Sequence, residues 1–133
     1  MRILLDVLAR FLLLALGLAL YHVLLPWLFP DDGGGANIGA GLLGFAGLGV
    51  AAGTWGYLDG RRRAQGRLVL LWSVTGLLVG VAWAVGVSVV EPGAASVSAT
   101  LATMSFLVPF ATLLVAVPAT IGGTARRALT AVR

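Results

Sequence analysis

The chain alternates between four long apolar segments and three short polar connections. The apolar segments run from about 8 to 29, 36 to 58, 68 to 90 and 99 to 121. At about 1.5 Å per residue, a helix of this length crosses the roughly 30 Å hydrocarbon core of a bilayer. The last two segments are rich in Val and Thr, but in lipid every backbone group needs an internal partner, which favours helices. The pattern predicts an all-α, polytopic membrane protein, with residues 1–133 as a single membrane domain built as a four-transmembrane-helix bundle.

Composition supports the bilayer as the solvent of this chain. Hydrophobic residues make up 59% and charged residues 11%, and the mean hydropathy is +1.02. Soluble domains carry about 25% charged residues, so this chain has too few to cover a water-facing surface. The pI of 11.2 is also typical of nucleic-acid binding. We reject that interpretation because the arginines flank apolar spans, and we expect no nucleic-acid partner. The absence of Cys excludes disulfides and thiolate metal sites.

The arginines predict the orientation of the four spans. All nine basic residues are Arg, and they fall at the N-terminus, in the connection between spans two and three, and at the C-terminus. The other two connections contain neither Lys nor Arg. Because positive residues stay on the cytoplasmic side, the predicted topology has both termini in the cytoplasm. The all-Arg, Ala- and Gly-rich composition suits a GC-rich bacterium, so we expect a multi-pass protein of the bacterial plasma (inner) membrane.

Aromatic residues at the span ends agree with this topology. Trp27 marks the predicted outer end of span one, and Trp55, Tyr57 and Trp72 mark the inner ends of spans two and three. These rings prefer the headgroup level of a bilayer.

Small residues recur along the faces of the middle spans and predict close helix packing. Because small side chains let helix backbones approach, each face is a candidate helix contact. We expect the face on span two to make it the centre of packing. The faces serve either contacts within one protomer or docking of another chain. The helix-packing residues predicted in this way are Gly39, Ala46, Gly49, Gly53, Gly56, Gly76, Gly80 and Ala84.

Two prolines, Pro109 and Pro118, fall inside span four. Each removes a backbone donor and frees a carbonyl one turn earlier. We expect the Ser105 and Thr112 hydroxyls to satisfy the kinked backbone. A static kink and a gating hinge are both compatible with this pattern.

Few ionisable residues fall within or beside the spans. Asp6 and Arg10, spaced i and i+4, predict an ion pair at the cytoplasmic entrance of span one. Asp59 is predicted to lie at the membrane surface among the arginines, and His22 in the outer half of span one. Because intramembrane ionisable groups often have a function, His22 and Asp59 are the candidate functional polar residues.

The exposed arginines have a second predicted role. They anchor the topology, and they also attract anionic lipid headgroups. The residues concerned are Arg61, Arg62, Arg63, Arg67, Arg126 and Arg127.

No arrangement of residues in the sequence predicts catalysis. Gly33-Gly34-Gly35 lacks the Lys-Ser/Thr pair of a phosphate-binding loop. One His and a few separated acids do not assemble a catalytic or metal set. We therefore expect neither an enzyme nor a cofactor, and we expect no charge inside the bundle. The preferred function is a non-catalytic subunit that binds another membrane protein, or itself, through its Gly/Ala-rich faces. The alternative is a homo-oligomeric small transporter or channel for a neutral or lipid-like substrate, with hydroxyls of span four lining the pathway.

Overall fold

A computed structural model describes residues 2–30, 35–90 and 97–131 of the chain, and that part is helical apart from short turns. The all-helical prediction and the number of helices are confirmed. Each helix is long and apolar enough to cross a membrane by length and composition. The four helices are α1 (Arg2–Leu28), α2 (Gly35–Gly60), α3 (Gln65–Val90) and α4 (Val97–Ala131).

Two helices are longer than the hydrophobic pattern predicts, both at the same end of the molecule. α1 begins at Arg2 and not near 8, and α4 continues past 121 to Ala131. Both extensions carry charged side chains that contact the end of α2 or the turn after it, which offsets the cost of leaving the apolar segment. We call this end, which includes the α2–α3 turn at 61–64, the arginine end.

α4 is the centre of packing, with α2 on one side and α3 on the other. The prediction that span two holds this position is wrong. The reason is that α4 presents small buried residues to both neighbours: Ala119 and Gly123 face α2, and Ala111 faces α3. The backbones of α2 and α3 approach each other at few positions, and these two helices meet through large side chains such as Trp55 and Trp72.

α1 lies at the edge of the bundle. Val7 and Leu14 are its buried apolar residues, and they join a core that includes Leu68, Leu71 and Trp72 of α3. Most of its large apolar side chains, such as Leu16 at 66% exposure, face outward. Outward Leu and Val on a helix this apolar suit contact with lipid and not with water.

Candidate functional site

Four charged side chains from α1, α2 and the α2–α3 turn form a cluster at the arginine end. Arg10 Nη2 donates to both carboxylate oxygens of Asp59 at 2.8 Å, and Arg10 Nε donates to Asp59 Oδ2 at 3.1 Å. Arg63 Nη2 donates to Asp6 Oδ2 at 2.6 Å, and Arg63 Nε lies 3.5 Å from Asp59 Oδ1. Two acids and two arginines make the cluster neutral, and we refer to it as the ionic cluster.

Two tryptophans enclose the centre of the ionic cluster. The Arg10 guanidinium carbon lies 5.1 Å from the Trp55 ring centroid and 5.7 Å from that of Trp72. The two rings meet edge to face. Arg10 is 5% exposed and Asp59 6%. A guanidinium between aromatic faces gains cation–π attraction, which is strongest where water is excluded.

This geometry corrects three expectations and confirms a fourth. Asp59 is buried and does not lie among exposed arginines. The predicted ion pair of Asp6 and Arg10 is present, with Arg10 Nη1 3.8 Å from the Asp6 carboxylate. Arg10 lies closer to Asp59, at 2.8 Å, and also donates to the Asp6 carbonyl at 2.7 Å. Charge is therefore present inside the bundle. Trp72, which was expected to present its ring to the headgroups, is fully buried within the bundle, where it covers Arg10.

Electrostatics within the ionic cluster favour the charged form of Arg63. The hydrogen bond from Arg63 to the Asp6 carboxylate raises the pKa of Arg63 above its already high ordinary value. Since each charge has an opposite charge within 4 Å, the arrangement holds helices together and offers no free acid or base for proton transfer. The sequence signal for the ionic cluster was the antiparallel course of α1 and α2, because that course brings Arg10 and Asp59 to similar depths.

The predicted small-residue faces divide between buried and exposed positions. A Cβ added at Gly56 would overlap the Ala119 backbone, and one at Gly76 would lie 2.8 Å from the Thr112 carbonyl oxygen. Gly49 and Gly53 face Pro118 at ordinary contact distance.

Of the remaining predicted packing residues, some are buried and some are exposed. Gly80 contacts Val108, and Ala84 is buried. Gly39 and Ala46 are exposed, and a Cβ at Gly39 would meet nothing within 4 Å. A seven-residue repeat drifts about 20° per heptad on a straight helix, which turns these two away from α4.

The six arginines assigned to the membrane surface have different surroundings. Arg63 belongs to the ionic cluster. Arg126 donates to the Tyr57 hydroxyl at 2.8 Å and lies over its ring. Arg127 donates to the Gly60 carbonyl at 3.1 Å, to Gln65 Oε1 at 2.6 Å and to the Arg63 carbonyl. These contacts hold the end of α4 against the α2–α3 turn.

The other three arginines are different. The side chains of Arg61, Arg62 and Arg67 are exposed, and within the described part of the chain they make no hydrogen bond or ion pair.

An apolar groove of about 630 Å³ separates α1 from α3. Small residues form much of both walls, with Ala15 and Ala19 on α1 and Ala82 and Gly86 on α3. His22 lines this groove as its one ionisable residue, and its Nδ1 lies 3.2 Å from the Leu18 carbonyl oxygen of its own helix. The full lining is Ala15, Leu18, Ala19, His22, Val79, Ala82, Trp83, Gly86 and Val87. We call it the α1–α3 groove.

A smaller groove of about 280 Å³ lies on the other side of α1, against α2. It is bridged by Tyr21, whose hydroxyl donates to the Ala40 carbonyl oxygen. The Tyr21 ring covers Gly44, where an added Cβ would lie 2.9 Å from ring carbon Cε1. Tyr21 is thus a second polar attachment of α1, far from the ionic cluster. No pattern in the sequence distinguishes it from other aromatic residues.

The two α4 hydroxyls expected beside the prolines donate to carbonyls of their own helix. Ser105 donates to the Ala102 carbonyl and Thr112 to the Val108 carbonyl, both within 2.8 Å. The prolines free the carbonyls of residues 105 and 114, so the expectation that these hydroxyls satisfy them is wrong. A hydroxyl prefers a carbonyl one turn earlier on its own helix, which lies closer. α4 continues as one helix through Pro109 and Pro118.

The described residues contain no group of three His, Cys, Asp or Glu side chains that would hold a metal ion. Comparison with protein-family models, with curated proteins and with solved structures finds no match to this chain.

Proposed function

We propose that the protein is a non-catalytic subunit of a larger complex in the bacterial plasma membrane, with both termini in the cytoplasm. It binds a transmembrane helix of its partner in the α1–α3 groove. The groove is the observation that carries this proposal, because it is a large apolar surface that the bundle leaves uncovered.

Many of the other polar and small residues are already engaged within the bundle, which supports this assignment. The ionic cluster neutralises itself. The arginine-end half of the α2 face and the Gly76–Gly80 face of α3 are occupied by α4. Small residues on the outer half of the bundle therefore remain for a partner, and the groove collects four of them.

A helix suits the groove better than a flat surface would. Ala15 and Ala19 are one turn apart on α1, and Ala82 and Gly86 are one turn apart on α3. Such i, i+4 pairs let a neighbouring backbone approach closely, so dispersion contacts accumulate along the helix. Bulky apolar side chains of the partner would fill the space between the two walls.

Groove filling tests this proposal. In Gly86→Leu the new side chain enters open space, since an added Cβ there meets nothing within 4 Å. We expect the bundle to fold and co-purification of the partner from native membranes to fall at least tenfold. Gly39→Leu is the matched control, because Gly39 is equally open but lies outside the groove. Equal partner recovery from both variants would contradict the proposal.

The orientation has its own test. The chain contains no Cys, so Arg62→Cys provides a single reactive thiol on the α2–α3 turn. We expect a membrane-impermeant maleimide to label it only after the cells are opened. Labelling in intact cells would reverse the proposed topology.

A second candidate is a lipid-like ligand in the same groove, the substrate class of the transporter alternative. A volume of about 630 Å³ lies within the usual range for small-molecule sites. His22 on the lining would provide one polar contact. Recovery of one stoichiometric lipid with the wild type, lost in Gly86→Leu while no protein partner is found, would favour this candidate.

A further inference from the structure

The structure separates the arginines of the arginine end into those that hold the fold and those that face outward. Arg10 and Arg63 are paired with Asp59 and Asp6. Arg126 and Arg127 bind Tyr57, Gln65 and backbone carbonyls. The arginine end is therefore not a uniform basic patch.

The outward group lies in one short segment. Arg61 and Arg62 belong to the turn after α2, and Arg67 lies in the first turn of α3. All three side chains are exposed and unpaired within the described residues. Asp59, the acid closest in sequence, is bound to Arg10 and Arg63 and is buried. Its charge is thus already offset, and the three arginines keep their full attraction for an external anion.

The start of α3 adds to this attraction. The first backbone N–H groups of a helix carry a partial positive charge. The Gly66 position is open, since an added Cβ would meet nothing within 4 Å. An anion approaching Arg67 therefore also approaches the positive end of α3, with open space beside Gly66.

We infer that Arg61, Arg62 and Arg67 form a binding site for the phosphate group of an anionic phospholipid headgroup. Guanidinium groups bind phosphate oxygens through paired N–H donors. The site lies at the end of four membrane-length helices, where headgroups are found if the chain is inserted as proposed. It is independent of the α1–α3 groove, but it rests on membrane insertion.

The test uses the purified full chain in phosphatidylcholine vesicles with added phosphatidylglycerol. Spin-labelled phosphatidylglycerol and phosphatidylcholine report the relative association of each lipid with the protein. Each arginine near the surface contributes about fivefold in attraction. We expect the triple variant Arg61→Gln, Arg62→Gln, Arg67→Gln to lose at least fivefold in preference for phosphatidylglycerol.

Replacing the same three residues with Lys is the matched control. This variant keeps the charge, so most of the preference should remain, while paired N–H donation is lost. Helical content and thermal melting check that both variants fold. An unchanged preference in the Gln variant would overturn the inference, as would a site that inorganic phosphate at millimolar concentration occupies equally well without lipid. Dependence of an acidic protein partner on these arginines, with no lipid preference in the wild type, would also overturn it.

Vesicle flotation separates this inference from the proposed function. Flotation with phosphatidylcholine alone reports insertion, and the spin labels report headgroup selection. If the chain does not float after reconstitution, both proposals fall. If it floats without selecting phosphatidylglycerol, the headgroup site alone falls.

Discussion

α4 and α1 are held in the bundle in opposite ways. α4 lies against α2 and α3 so closely that a single added Cβ at Gly56 would overlap its backbone. α1 is attached through the ionic cluster near one end and through Tyr21 toward the other, with an apolar groove on each side. α4 is therefore held along its length by close backbone contact, with hydrogen bonds only at its end. α1 combines a small apolar contact through Val7 and Leu14 with a few directional bonds.

The difference explains where a partner would bind. Where helix backbones touch, no space remains between them. The small residues of α2 and α3 that contact α4 are therefore not available to a partner. Polar attachments at separate points along a helix tolerate space between them. In this molecule that space lies beside α1, and its walls are small residues.

We expect the largest loss of stability when the close backbone contact between α2 and α4 is disturbed. In Gly56→Leu the side chain would overlap Ala119, and overpacking costs about 1–3 kcal/mol even where neighbours adjust. Since backbone atoms cannot adjust as side chains do, we expect a loss above about 3 kcal/mol, measured by denaturation in detergent micelles. Gly39→Leu on the same helix should melt like the wild type. If the two variants melt alike, the backbones of α2 and α4 are not in close contact at Gly56 and Ala119.

A somewhat smaller effect should follow from breaking the ionic cluster. Asp59→Asn leaves the buried Arg10 without its main counter-charge, and removing one partner of a buried pair costs about 3–5 kcal/mol. Arg63 and Asp6 remain nearby, so we expect the free energy of unfolding to fall by about 3 kcal/mol, the lower end of that range, in the same denaturation assay.

The matched control for that prediction is the double variant Arg10→Met, Asp59→Leu, which removes both charges. It should be more stable than Asp59→Asn, because no uncompensated charge stays buried. A double variant that is less stable than the single one would show that the pair itself, and not the orphaned charge, dominates the energetics.

The smallest effect should come from the other attachment of α1. Tyr21→Phe removes one hydrogen bond to the Ala40 carbonyl, worth about 1 kcal/mol, and keeps the ring over Gly44. Thermal melting should show a small decrease. His22→Ala, at the adjacent exposed position, should change stability by less than about 0.5 kcal/mol. A larger loss from His22→Ala would mean that the contact of its ring with Tyr21 or with the Leu18 carbonyl stabilises α1 more than we expect.

The sequence predicts the helices well and the pairing of side chains poorly. Hydrophobic segment length was enough for the number of helices, because a bilayer-length apolar run has few alternatives. The glycine spacing singled out Gly56 and Gly76, but not which helix would meet them, since small-residue faces occur on three spans. Arg10 and Asp59 are 49 positions apart, so their bond depends on the relative rotation of α1 and α2. The groove depends on the tilt of α1, which no local pattern specifies.

The α1–α3 groove is proposed to receive a helix of another membrane protein. A photoreactive amino acid at Ala82, which lines the groove, tests it most directly in native membranes. We predict one dominant protein adduct, cross-linked through a transmembrane segment, that disappears in the Gly86→Leu background and does not form from the same probe at Gly39. Adducts with lipid alone, or the same protein adduct from both probe positions, would contradict the account.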